Sequence, residues 1–104
     1  MDRVIELIQK TVNELIQYHL EEFCQCAGEL VNTMFEVFPQ IIATYSDERL
    51  SDIAEDATYW PAQLEKIVNV LEKGDEFAIV DALYNETLPN LVELKNILIE
   101  REIV

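Results

Sequence analysis

The chain has little of what turns, hinges or catalyses: two glycines, three prolines and one histidine in 104 residues. Two isolated glycines exclude a glycine-rich phosphate loop and leave few sites for the tight turns of a sandwich or barrel, so the class is all-α. A lone histidine, His19, excludes any multi-histidine metal site within one chain. Isoleucine, not glutamate, stands three residues before it at Ile16, which removes the Glu-x-x-His motif of di-iron bundles. No catalytic residue, cofactor or metal ligand is therefore assigned, and the chain is read as a non-enzyme.

Positive charge is equally scarce. Seven basic residues stand against 21 acidic ones, a formal net charge of −14, and such a field repels nucleic acid and anionic membrane while attracting basic proteins. No apolar run approaches the roughly 20 residues that cross a bilayer, and the opening "MDRVIELIQKTVNEL" lacks a signal peptide's apolar block. A cytoplasmic location is expected. Cys24 and Cys26 point about 200° apart on a helix, so free thiols in a reducing compartment are expected. The sequon at Asn85 to Thr87 has no meaning without secretion.

What is present is helical periodicity. Half of the residues are hydrophobic, enough for one core, and residues 1–104 are read as a single domain of a size that dimerisation often completes. From Asp2 to Phe38 the residues Ile5, Ile8, Val12, Leu15, Ile16, Phe23, Ala27, Leu30, Val31, Met34 and Phe38 recur three or four apart, predicting one helix of roughly 35 residues and about 50 Å, or two in register. His19 falls on its apolar side, beside Phe23. Ser46, Asp47 and Glu48 are N-cap and first-turn residues for a second helix. Along it, Leu50, Ile53, Ala57, Trp60, Leu64, Ile67 and Leu71 keep a heptad pattern. "LEKGDEF" closes that helix with Gly74 as C-cap and opens the next with Asp75 as N-cap. The last helix places Phe77, Val80, Leu83, Tyr84, Leu88, Leu91, Leu94, Leu98 and Ile99 inside.

Each proline, Pro39, Pro61 and Pro89, interrupts an apolar stripe. Proline removes one backbone donor and crowds the carbonyl four residues earlier. The apolar phase continues through all three, so kinks are expected, Pro39 being the most break-like and Thr87 a candidate cap for a restart at Pro89. The predicted fold is an antiparallel bundle of three long proline-kinked helices, or four if the first is divided. A 50 Å first helix would leave apolar surface uncovered, so a homodimer is expected.

The densest acidic patch, Asp47, Glu48, Asp52, Glu55 and Asp56, joins Tyr59 as a candidate partner-docking surface. Trp60 is expected in the core. "LEKGDEFAIVDALYNETLPNLVELKNIL" resembles uncharacterised acidic helical proteins of Gram-positive bacteria, which implies a bacterial helical domain and assigns no site residue. The function expected is a protein–protein interaction module: an adaptor, chaperone-like or regulatory subunit. The alternative is an acidic inhibitor or DNA-mimic decoy for a basic or nucleic-acid-binding protein.

Overall fold

Apolar side chains three and four apart wind the first two helices. In the computed structural model, which describes residues 1–45 and 58–101, α1 (Asp2–Ile16) buries Val4, Leu7, Ile8, Val12 and Leu15. In α2 (Leu20–Thr44) the buried set is Cys26, Leu30, Met34, Phe38 and Ile41. Of the two forms expected, one 35-residue helix or two, the divided form is the one present. Tyr18 takes a left-handed φ of 59°, its N–H meets the Leu15 carbonyl at 3.1 Å and the His19 N–H meets that of Glu14 at 2.9 Å. That pair of bonds is a Schellman closure with tyrosine where glycine is usual. The two helices fold back on one another, as the Arg3–Glu29 ion pair shows, so the length argument for a dimer has no counterpart in a molecule 44 Å long.

Pro39 does not end α2, which runs on to Thr44. The carbonyl it leaves without an amide partner belongs to Phe35, which is exposed, so water can satisfy it while Phe38 and Ile41 stay in the core. α3 (Tyr59–Lys73) has Pro61 in its first turn, where a missing N–H costs no helical bond. Pro61 therefore belongs to a helix start and not to the middle of a kinked helix. The Ser46 cap and the heptad positions Leu50, Ile53 and Ala57 lie outside the described residues. Gly74 caps α3 at φ 70°, and the Asp75 carboxylate accepts from Phe77 N and Ala78 N as expected.

The last rod contains the main departure. It is built from α4 (Glu76–Val80), a π-helical segment (Asp81–Thr87) and α5 (Leu88–Glu100). The ring of Pro89 would strike the Asn85 carbonyl in an ordinary α-helix. Over Asp81–Thr87 the turn is widened instead, with Leu88 N–H bonding the Leu83 carbonyl five residues back. Buried residues accordingly step by five here, from Ala82 and Leu83 to Thr87 and Leu88. The apolar phase is therefore offset by one residue before Pro89, and Thr87 does not cap a restart. Phe77, Tyr84 and Ile99, expected inside, are exposed at 86, 50 and 55 %.

A buried polar lock holds the widened turn. Gln63 of α3 directs its amide nitrogen to Thr87 Oγ1 at 2.9 Å and to the Ala82 carbonyl at 3.2 Å, and Thr87 donates to the same carbonyl at 2.7 Å. Lys66 grips Glu86 through both carboxylate oxygens at 2.7 and 2.8 Å. Asp2 of α1 pairs with Lys95 of α5, and Phe38 of α2 meets Trp60 of α3 edge-on at 5.4 Å. Together with the tight turns at Gln17–His19 and Gly74–Asp75 these contacts give an up-down-up-down helical bundle around one core. No strand occurs among the described residues.

The two left-handed residues yield opposite expectations. Gly74→Ala meets no neighbouring atom, so its cost is conformational, about 1–2 kcal/mol. Tyr18 is 71 % exposed, so Tyr18→Gly sheds similar strain against a glycine entropy cost of about 0.5–1 kcal/mol, and a net gain near 0.5 kcal/mol is expected. Urea unfolding of the two variants against the parent checks both signs.

Candidate functional site

Where α2 ends and α3 begins, aromatic rings gather against the outer half of α5. Tyr45, Tyr59, Trp60, Asn90, Glu93 and Ile97 line a cleft of about 250 Å³ floored by Leu94. Helical spacing explains the α5 contribution, since Asn90, Glu93, Leu94 and Ile97 lie three or four apart and share one side of the helix. Trp60 is anchored rather than free: its ring meets Tyr59 at 4.9 Å and 86°, and its Nε1–H donates to Tyr45 Oη at 3.0 Å. Its burial at 2 % exposure agrees with the core position expected from sequence. Asn90 Nδ2 donates to Tyr59 Oη at 2.8 Å, using one of its two N–H donors and leaving the amide oxygen as an acceptor. Glu93 is exposed and has no hydrogen bond or ion pair among the described residues.

The cleft is thus rich in acceptors and aromatic faces. No lysine, arginine or histidine of the described residues lines it. Burial pushes the Tyr59 phenol above the usual tyrosine range, opposed by its bond from Asn90, while the Glu86 carboxylate adds to the rise.

A second surface lies along the rod. Tyr84 and Val92 are exposed at 50 and 38 %, and with Leu88, Pro89 and Ile97 they form an apolar face edged by Glu93 and Glu100. At its other end Tyr84 joins Val80, Val12 and Ile16 in a groove between α1 and the rod. Glu93 and Ile97 border both the apolar face and the aromatic cleft.

Of the expected docking residues, Asp47, Glu48, Asp52, Glu55 and Asp56 lie outside the described residues, and Tyr59 is placed half-buried in the cleft. Sequence reasoning passed over Tyr45, Asn90 and Glu93 as a group. For the α5 members the signal was there in the 90, 93, 97 spacing, but nothing local tied them to residues thirty or more positions earlier. His19 is corrected from an apolar position to the exposed turn, where its Nδ1 lies 2.7 Å from Glu14 Oε2. Cys24 is exposed and Cys26 buried, both as free thiols. Among the described residues no three His, Cys, Asp or Glu side chains are placed to hold a metal ion, and no helix is long and apolar enough to cross a membrane.

Comparison with known protein families, with characterised proteins and with solved structures finds no match.

The raised Tyr59 pKa sets a pH dependence. A phenol whose folded pKa lies above its unfolded value of 10.0 contributes stability that is whole below that pH and is lost as pH rises through the folded pKa. Ultraviolet titration should show a phenol ionising above the usual tyrosine range, and Tyr59→Phe should remove that late step.

Proposed function

We propose that this chain is a protein–protein interaction module, an adaptor or regulatory subunit, whose partner is basic and docks on the rod. The observation that carries the reading is the apolar face from Tyr84 to Val92, left open by the π-helical turn and edged by carboxylates. Exposed aromatic and aliphatic side chains at helical spacing are the usual receptor for an amphipathic segment. The charge of −14 then selects among amphipathic segments, steering basic ones toward the face and holding acidic ones away. The same charge opposes close approach of two copies, so a foreign basic partner accounts for the face better than a homodimer does.

An acidic decoy would use its charge alone, whereas the exposed Tyr84 and Val92 indicate an apolar contribution to binding. Salt separates the two, because long-range charge attraction is screened at high ionic strength and apolar docking is not. The checking experiment is quantitative capture from the native extract with the parent chain and with the Tyr84→Glu/Val92→Glu variant, at low and high salt. A basic protein held by the parent in both salts and lost by the variant is expected. A protein held equally by both chains and released by salt would replace this reading with the decoy.

A further inference from the structure

The aromatic cleft has a chemistry of its own. We infer that the cleft between Tyr45, Tyr59, Trp60, Asn90 and Glu93 is an anchor pocket for an organic cation, the side-chain head of a lysine, methylated lysine or arginine. This assignment rests on the reading of the molecule as a module for a basic partner, and names the group that partner inserts.

Size argues first. At about 250 Å³ the cleft falls below the roughly 300–1,000 Å³ of sites that enclose whole small molecules, but it suits one head group on an aliphatic stem. Chemistry argues second. Tyrosine and tryptophan rings offer negative faces to cations, one Asn90 N–H is engaged by Tyr59 at 2.8 Å while the amide oxygen stays open as an acceptor, and Glu93 has no cation among the described residues. An anion entering here would face the Glu93 carboxylate with no lysine, arginine or histidine among the described lining residues to offset it. A neutral apolar group would leave the Glu93 carboxylate with no new partner.

Position argues third. Glu93 and Ile97 form a ridge shared with the apolar face on the rod, so one basic amphipathic segment reaches both: its apolar side covers Tyr84 and Val92 while a cationic side chain crosses the ridge.

The test uses small probes, so it can fail while the docking reading stands. The full chain is titrated with choline, with n-butylguanidinium and with 3,3-dimethylbutanol, the uncharged carbon analogue of choline, following the Trp60 indole N–H by NMR. Saturable shifts with the cations, with dissociation constants on the order of millimolar, and none with the alcohol are expected. Glu93→Gln should weaken the cations about tenfold. Tyr59→Phe, which keeps the ring, should retain most of the binding, with circular dichroism confirming that both variants fold. Equal binding of the alcohol, no saturable shift with either cation, or unchanged affinity in Glu93→Gln would each overturn the assignment.

Discussion

The contact on which the rest of this structure depends is the one between Gln63 and the widened turn at Ala82 and Thr87. A proline in a buried helix sets a conflict: Leu88 and Leu91 must stay on the core, yet the ring of Pro89 will not fit above the Asn85 carbonyl. A π-helical turn resolves it by adding one residue to the turn. Such a turn has poorer hydrogen-bond geometry than an α-helix and persists only where tertiary contacts hold it. Here the buried amide of Gln63 and the Thr87 hydroxyl supply them, 2.9 Å apart and both converging on the Ala82 carbonyl.

The consequences run in both directions along the rod. Toward the C-terminus, the added residue sets the phase of α5 so that Leu91, Leu94 and Leu98 are buried while Asn90 reaches Tyr59. The aromatic cleft exists because that phase brings Asn90 and Glu93 against the start of α3. Toward the N-terminus, Tyr84 is turned out of the core and becomes the common element of the groove with α1 and the face along α5. Both candidate surfaces are thus products of one local accommodation.

Much of the bundle could be read from the sequence, and the errors have specific causes. The Gly74 and Asp75 turn was legible because both residues carry their own conformational signal. The division between α1 and α2 was not, because the left-handed position is filled by Tyr18, a residue with no such signal, and the apolar stripe continues on either side of it. The prolines were visible but their consequences were not: Pro39 needs only solvent at the Phe35 carbonyl, Pro61 needs only a helix start, and Pro89 needs a partner 26 positions earlier, at Gln63. That partner is a polar residue at a buried position, 6 % exposed, on a helix where the heptad pattern had directed attention to Leu64. The cleft escaped for the same reason, since its two halves come from α3 and α5 and meet only through the fold.

The central claim is that the rod carries one residue more than an α-helix would need, inserted in the segment Asp81–Thr87. It is tested most directly by comparing two single-residue deletions in a Pro89→Ala background, of exposed Asn85 within the π segment and of exposed Val92 within α5, by urea unfolding. Removing Asn85 should restore an ordinary α-helix with Leu91, Leu94 and Leu98 in phase, costing no more than about 1–3 kcal/mol from the disturbed Gln63 lock. Removing Val92 should rotate Leu94 and Leu98 out of the core and abolish cooperative unfolding. Equal damage from the two deletions would contradict the account.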